Sequence, residues 1–386
     1  MGATRAADHE DVPDATPQAT PDIMPLLRHA VGAGASDLHL KVPSPPVLRL
    51  NGGLEPVVGH PPLTPAHTAA FAAQLTEPQP ERRAELEADG ETDLAFDMAG
   101  LGRFRVNIFR QRGSLSIALR AVPAQIKSLQ DLGLPGAIGA LAREQRGIIL
   151  VTGTTGSGKS TTLAAMIDQM NRTEHRHVVT IEDPIEYLHQ DRGSIINQRE
   201  VGTDTGSFAS ALRRVLRQDP DVILIGEIRD LATMETALSA AETGHLVLST
   251  MHTLDATETV NRAIGFFPLH QQGPVRAMLA GPLRGIVSQR LVPTADGKGR
   301  AAACEILVAT GRARDMIKNP EETGRLHEVI KDGDFYGMQT FDQSLFGHVT
   351  GGRVSLDQAL EAASSPHDFR LMLEAGAPRR EAAQYA

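Results

Sequence analysis

A glycine-rich turn between an apolar run and a helical pattern constrains this chain more than any other feature. The apolar run covers 147–152, and the turn reads GTTGSGKS from Gly153 to Ser160. It fits the pattern G-x-x-x-x-G-K-[ST] at every fixed position, in the strand-to-helix context that the pattern requires. Because glycine permits positive φ angles, successive backbone N–H groups can point at an anion near the positive end of the helix. We therefore predict a phosphate-binding loop, with a merely flexible turn as the alternative.

Two side chains of this turn carry chemistry of their own. Lys159 can reach the β and γ phosphates of a nucleotide as a point charge. The Ser160 hydroxyl can join the ligands of a Mg²⁺ ion that keeps several of its waters. The turn thus predicts a nucleoside triphosphate together with Mg²⁺. The predicted nucleotide-binding residues are Gly153, Thr154, Thr155, Gly156, Ser157, Gly158, Lys159, Ser160 and Thr161.

Charge and cysteine content narrow the class of protein. The formal net charge is −9, which argues against a chain whose main role is to coat nucleic acid. The single cysteine, Cys304, excludes a disulfide framework and fits a reducing compartment. No apolar run approaches the roughly 18 residues of a membrane span, and the N-terminus lacks the order of a signal peptide. We therefore expect a cytoplasmic protein without direct membrane insertion, which reaches the membrane through a partner.

The N-terminal part of the chain predicts a tail and then an α+β domain. Residues 1–22 contain three prolines and five acids but no Leu, Ile or Phe, which predicts a disordered tail. A helical face and several alternating segments follow, which predicts an antiparallel α+β domain over 23–121. Its last hairpin is rich in arginine, and these side chains either form a solvated basic face or reach a nucleotide. They are Arg103, Arg105, Arg110, Arg112 and Arg120.

The rest of the chain predicts a second α/β domain with a helical end. We expect a linker at 122–136 and a nucleoside-triphosphate-binding core at 137–294, in which β-rich runs alternate with helical patterns. This alternation predicts a mainly parallel sheet wrapped by helices. From 295 the pattern turns helical, which predicts a small helical subdomain over 295–372 and a tail at 373–386. The β-rich runs of the core are 148–152, 177–181, 222–225 and 246–250.

Three of these runs end in residues that could perform chemistry. Glu182 and Asp183 end the second run, Glu227 follows the third and His252 follows the fourth. The carboxyl ends of strands line the ligand crevice of an open α/β sheet. An acid at such a place often only caps the next helix, but behind a phosphate loop it predicts a catalytic site. Glu227 could bind Mg²⁺ through water or orient the attacking water, and His252 could sense the γ phosphate or be structural.

These segments together resemble the secretion and type IV pilus motor ATPases, in unbroken order over about residues 23–370. Within that superfamily the chain resembles the PilT group of pilus retraction motors. Its length is similar, it lacks a four-cysteine zinc module, and its GMQTFDQSL segment is similar to the C-terminal signature of that group. The resemblance rests on ASDLHL at 35–40, GRFRVN at 102–107, the phosphate loop, IEDPIE at 181–186, DPDVILIGEIRD at 219–230 and GMQTFDQSL at 337–345.

The resemblance implies a PAS-like α+β domain, a RecA-like P-loop core and a homohexamer that hydrolyses ATP to drive pilus retraction and twitching motility. It implies ATP sites between the two domains, an inner-membrane pilus platform protein as partner, a second pilus motor ATPase as a further partner, and no nucleic acid. It also assigns Mg²⁺ to Ser160 and Glu227. The implied catalytic residues are Glu227, Glu182, His252, Arg112 and Arg105.

Two departures from the group leave alternatives. Ile228 stands where many retraction motors have Met, and the segment 311–317 matches the AIRNLI motif only in part. Pilus extension, type II secretion assembly and an accessory PilU-like role are therefore kept beside retraction. From other classes we keep a scaffold that hydrolyses poorly, against which Lys159, Glu182 and Glu227 argue. We also keep a nucleic-acid translocase, against which the net charge and the absence of Trp argue.

Overall fold

The computed structural model describes residues 21–50, 52–123 and 125–376. Most of the two predicted tails, 1–20 and 377–386, lies outside the described residues. The chain divides into two compact units, of which the first ends at Pro123, within the segment that the sequence predicts as a linker. Among the described helices, none combines the length and apolar character that crossing a bilayer requires.

The first unit is a six-stranded antiparallel sheet covered by helices. Its strand order is β3-β2-β1-β6-β5-β4, and every neighbouring pair is antiparallel. Along β5, Phe104, Val106 and Ile108 are buried while the residues between them face outward, because side chains alternate along a strand. The predicted antiparallel α+β domain is confirmed. Its elements are α1 Met24–Gly32, β1 Asp37–Leu40, β2 Val47–Leu50, β3 Gly53–Pro56, α2 Pro65–Thr76, α3 Pro80–Asp89, β4 Glu91–Met98, β5 Gly102–Gln111 and β6 Ser114–Ala121.

The second unit contains a seven-stranded sheet and its helices. The elements as far as the last strand are α4 Gly136–Leu141, β7 Gly147–Thr152, α5 Lys159–Thr173, β8 His177–Glu182, β9 Ile195–Glu200, α6 Phe208–Val215, β10 Val222–Ile225, α7 Leu231–Glu242, β11 Leu246–Met251, α8 Ala256–Gly265, α9 Gln272–Ala280, β12 Leu283–Pro293 and β13 Arg300–Val308. The remaining helices are α10 Gly311–Lys318, α11 Leu326–Lys331, α12 Phe341–Thr350, α13 Leu356–Ala362 and α14 Pro366–Ala375.

The sheet of the second unit has the order β13-β12-β7-β11-β10-β8-β9. All pairs from β12 to β9 are parallel, and β13 is added antiparallel at one edge. Helices cover both faces, so the central strands are apolar throughout. In β7, Ile148 and Leu150 belong to one hydrophobic core while Ile149 and Val151 belong to the other. The four predicted β-rich runs are confirmed as β7, β8, β10 and β11.

Two neighbouring strands of the second unit, β12 and β13, differ from what the sequence predicts. The helical pattern predicted from residue 295 is wrong for Arg300–Val308, which forms β13 and pairs along its whole length with β12, another strand that the sequence analysis missed. The segment RAAACEILV is rich in alanine and lacks clear alternation, so its composition suggests a helix. It forms a strand because β12 offers an unpaired sheet edge and because Ala301 and Ala303 pack on Phe341 of α12.

A buried carboxylate on β13 has an unusual environment. Glu305 is 8% exposed, and its Oε1 accepts a hydrogen bond of 2.9 Å from the backbone N–H of Ala256, the first residue of α8. Burial raises the pKa of Glu305 to about 7, although the hydrogen bond from Ala256 opposes this shift. Asp255 and Asp342 raise the pKa further, while Arg290 lowers it.

We expect the substitution Glu305→Gln to change how thermal stability depends on pH. The pKa of Glu305 in the unfolded chain is about 4.3, so the folded protein binds the extra proton between that value and about 7. The stabilisation is complete below the unfolded pKa and is lost as the pH rises through the folded pKa. The melting temperature of the variant should therefore improve relative to wild type between pH 5 and pH 8. An equal difference at both pH values, measured by differential scanning calorimetry, would contradict this assignment.

Candidate functional site

The phosphate loop joins β7 to α5 through three glycines with positive φ angles. Gly153, Gly156 and Gly158 have φ angles of 138°, 79° and 92°. A Cβ atom on Gly153 would collide with the carbonyl oxygen of Gln289 and the hydroxyl of Ser157. Gly158 is the N-cap of α5 and provides no side-chain cap, so the first N–H groups of this helix have no side-chain acceptor at that position. Such an uncapped N-terminus suits an anion.

Lys159 is held over this loop by the loop itself. Its Nζ donates hydrogen bonds to the carbonyl oxygens of Gly153, at 2.8 Å, and Thr154, at 3.0 Å. The residue is 8% exposed. Burial lowers the pKa of the Lys159 ammonium, and the carboxylates of Glu227 and Glu186 oppose that shift. A partly desolvated ammonium group in such a position would interact strongly with a phosphate.

The loop and the carboxyl ends of the neighbouring strands enclose one cavity of about 500 Å³. The parallel sheet accounts for this, because β8, β10 and β11 all end on the side where the loop follows β7. The structure therefore brings most of the predicted residues together. Gly153 and Ser157 are buried in the loop and Thr154 is exposed, and none of these three lines the cavity. The predicted residues that line the cavity are Thr155, Gly156, Gly158, Lys159, Ser160, Thr161, Glu182, Asp183, Glu227 and His252.

Glu227 lies two residues beyond the end of β10 and has a partner on each carboxylate oxygen. The guanidinium of Arg229 forms an ion pair with Oε1, and Nε2 of His252 lies 3.3 Å from Oε2. The Glu227 side chain is only 12% exposed. The end of β10 is tied to β11, because the Thr250 hydroxyl donates to the carbonyl oxygen of Gly226 at 2.7 Å. The carboxylate is thereby fixed and kept close to a positive charge.

Glu182 ends β8 and is half-buried. Burial raises its pKa, and hydrogen bonds from Thr180, Gln198 and the backbone of Glu186 oppose that rise. The Thr180 hydroxyl donates to Oε1 at 2.6 Å, and the Glu186 N–H donates to Oε2 at 3.3 Å. The sheet thus delivers two carboxylates, of different environment, to one cavity.

A family model described as "Type II/IV secretion system protein" matches residues 14–339 of this chain. The chain belongs to that family. It is 42% identical over 348 residues to the type IV pilus retraction ATPase PilT of Pseudomonas aeruginosa, covering 90% of this chain and 100% of the relative. It is 43% identical over 354 residues to the type IV pilus ATPase PilU of the same organism, covering 91% of each.

The fold has a close counterpart among solved structures. The crystal structure of the pilus retraction motor PilT with bound ADP superposes with a TM-score of 0.83 at 46% sequence identity, covering 91% of this chain and 99% of that chain. These comparisons confirm the predicted resemblance to the PilT group and the predicted fold class. This secretion ATPase therefore binds a nucleotide and hydrolyses ATP.

Several cavity residues of this secretion ATPase were missed by the sequence analysis. Arg229 follows Glu227 by two positions in the same quoted segment, so its place beside a predicted catalytic acid could have been inferred. The hydroxyl of Tyr187 lies 2.8 Å from that of Thr161 in α5, a pairing that spacing does not reveal. Leu291 and Arg300 also line the cavity, but they belong to β12 and β13, whose strands were not predicted.

The arginines of the predicted N-terminal hairpin belong to the first unit of this secretion ATPase. Arg112 is exposed in the turn between β5 and β6, with a φ angle of 49°, and Arg105 lies half-buried on β5. Arg120 forms an ion pair of 2.8 Å with Asp37, and Arg103 one of 2.8 Å with Asp97. The role of Arg105 and Arg112 in stabilising phosphate charge stays a prediction.

The residues of the cavity fit a nucleotide with Mg²⁺. The described part of the chain contains no group of three or more His, Cys, Asp or Glu side chains that could hold a metal by itself. Ser160 and Glu227 line the same cavity as Lys159. Mg²⁺ in nucleotide sites takes one or two protein ligands and completes its shell with phosphate oxygens and waters. This donor set therefore suits a metal that arrives with the nucleotide.

Proposed function

We propose that this chain is a hexameric motor that hydrolyses ATP to retract type IV pili and so drives twitching motility. The observation that carries the proposal is the convergence of the phosphate loop, Lys159, Glu227 and His252 on one cavity. Relatives of nearly the same length are named as pilus retraction motors, which supports retraction over extension. The chain would act at the cytoplasmic face of the inner membrane.

In this proposal each group of cavity residues has its own role in ATP hydrolysis. The loop N–H groups and Lys159 hold the β and γ phosphates, and Glu227 accepts a hydrogen bond from the attacking water. As the water oxygen bonds to the γ phosphorus, Glu227 takes the water's proton, the bond from the γ phosphorus to the bridging oxygen breaks, and ADP leaves. Arg229 and His252 hold the Glu227 carboxylate in place. Mg²⁺, held by Ser160 and through water by Glu227, would neutralise phosphate charge. Glu182 would act as a second carboxylate in the site.

The same proposal includes the partners expected for such a motor. These are five further copies of the chain in a ring, an inner-membrane pilus platform protein and a second pilus motor ATPase. Arg105 and Arg112 of the first unit would stabilise the charge that develops on the phosphoryl group. A negative net charge and few aromatic side chains for stacking favour protein partners over nucleic acid.

An accessory, PilU-like role is the second candidate. The identities to PilT and PilU, 42% and 43%, do not separate the two roles. The partial AIRNLI segment forms α10, where Ile317 is fully buried and Arg314 donates to the carbonyl oxygen of Leu283 at 3.3 Å. Arg312, which departs from that motif, is exposed on the helix. Ala313 and Met316, which stand where the motif has Ile and Leu, are buried, so the departures reach the packing of the segment as well as its surface.

A piliated host that lacks its own retraction ATPase tests the proposal. We expect expression of this chain to restore twitching, and expect Glu227→Gln to leave the cells non-motile with excess pili. Glu235→Gln, on an exposed position of α7, is the matched control and should restore twitching like wild type. Restoration only in cells that keep PilT but lack PilU would establish the accessory role. Return of pili to cells that lack the extension ATPase would replace retraction by extension.

A further inference from the structure

One wall of the nucleotide cavity has no regular secondary structure of its own. The segment 183–189 connects β8 toward β9 and forms neither helix nor strand. Its shape therefore depends on bonds to neighbouring elements. The residues of this segment that line the cavity are Asp183, Pro184, Glu186, Tyr187 and His189.

The edge strand β9 supplies two side chains that fasten this wall. Glu200 Oε2 accepts a hydrogen bond of 3.0 Å from the backbone N–H of Ile185. Gln198 lies two residues earlier, and residues two apart point to the same face of a strand. The parallel register places Gln198 opposite Thr180 and Glu200 opposite Glu182, at the end of β8. The wall is thus attached to β9 at the place where β8 delivers its carboxylate.

The amide of Gln198 makes three hydrogen bonds, and all of them go to the cavity wall or its carboxylate. Nε2 donates to the carbonyl oxygen of Tyr187 at 2.8 Å and to Oε1 of Glu182 at 3.1 Å. Oε1 accepts from the backbone N–H of His189 at 2.8 Å. The two amide positions are distinguishable here, because a flipped amide would set NH₂ against the N–H of His189. Only glutamine, with both donors and an acceptor, meets all three partners.

We infer that Gln198 is a positioning residue for ATP hydrolysis, which holds the Glu182 carboxylate and the wall at 187–189 in one arrangement. The inference rests on the proposed function, since it requires Glu182 to act in the ATP site. The cavity holds further charged or titratable groups from every element around it. They are Asp183, Glu186, Tyr187 and His189 of the same wall, Lys159 of α5, Glu227 and Arg229 after β10, His252 after β11 and Arg300 of β13. The hydrogen bond from Gln198 lowers the pKa of Glu182 against the effect of burial, so its removal should raise that pKa.

Two substitutions separate positioning from support of the fold. Gln198→Met keeps the volume and removes all three hydrogen bonds. Gln198→Glu keeps the acceptor for His189, loses both donors and places a like charge beside Glu182. Gln130→Met, at an exposed position of the same unit, is the matched control. Each purified variant is compared with wild type in kcat and KM for ATP between pH 5.5 and 9, and in melting temperature.

We expect Gln198→Met to lower kcat by about tenfold, less than the roughly 10²- to 10⁴-fold that a catalytic acid or base itself contributes, with a smaller change in KM. The acid limb of the kcat profile should move to higher pH in Gln198→Met and further in Gln198→Glu, while the control follows wild type. Wild-type kcat in both variants would overturn the inference, as would lost activity with an unmoved acid limb, which indicates a purely structural role. Failure of the proposed function looks different: wild type itself would lack turnover, or Glu227→Gln would retain it.

Discussion

Replacing Glu227 by Gln is expected to reduce the ATP turnover of the purified protein by about 10²- to 10⁴-fold, the range found when a general base is removed. The amide keeps the shape of the side chain but cannot take a proton from the attacking water. It also removes the negative charge that pairs with Arg229. Nucleotide affinity should stay within a few fold of wild type, because the loop and Lys159 are unchanged.

The measurement is steady-state phosphate release with saturating ATP and Mg²⁺, beside binding of a fluorescent nucleotide. Glu235→Gln, exposed on α7, carries the same chemical change away from the cavity and should match wild type. If Glu227→Gln retains more than about a tenth of wild-type turnover, the carboxylate is not the catalytic base. Its place between Arg229 and His252 would then serve only to hold the end of β10.

Replacing Lys159 by Ala is expected to weaken nucleotide binding by roughly 10²-fold or more, which corresponds to about 3 kcal/mol. A charge-assisted hydrogen bond to phosphate in a nearly buried position contributes energy of this order. The substitution also removes the two bonds from Nζ to the carbonyl oxygens of Gly153 and Thr154. The loop should therefore lose both its charge and part of its fixed shape.

Isothermal titration with ADP and with ATP measures this effect, and the melting temperature without nucleotide shows whether the unit remains folded. Lys127→Ala, at an exposed position of the same unit, is the control that loses an equal charge. Affinity within threefold of wild type in a folded Lys159→Ala protein would mean that the loop binds phosphate through its backbone alone.

The sequence predicted those residues of the candidate site that lie at or just after the carboxyl end of a strand. Glu182, Glu227 and His252 were assigned to one edge because each follows an apolar run, and parallel strands bring such ends together. Arg229 follows Glu227 by two positions, so its place beside that carboxylate was available from position alone. Tyr187 and Gln198 could not be found in this way. Tyr187 contacts Thr161, 26 positions away, and Gln198 contacts Glu182, 16 positions away. Both contacts depend on the path of an irregular segment.

Local sequence patterns were sufficient to predict the phosphate loop, the parallel core around it and the antiparallel domain before it. These features follow from local patterns, namely the positions of glycines and the helical and strand periods of the hydrophobic residues. Long-range pairing makes the alanine-rich segment 300–308 a strand, because the free edge of β12 overrides its local preference. Long-range packing also brings His252 to Glu227 and Gln198 to Glu182, because the members of each pair belong to separate strands or to the segments that follow them.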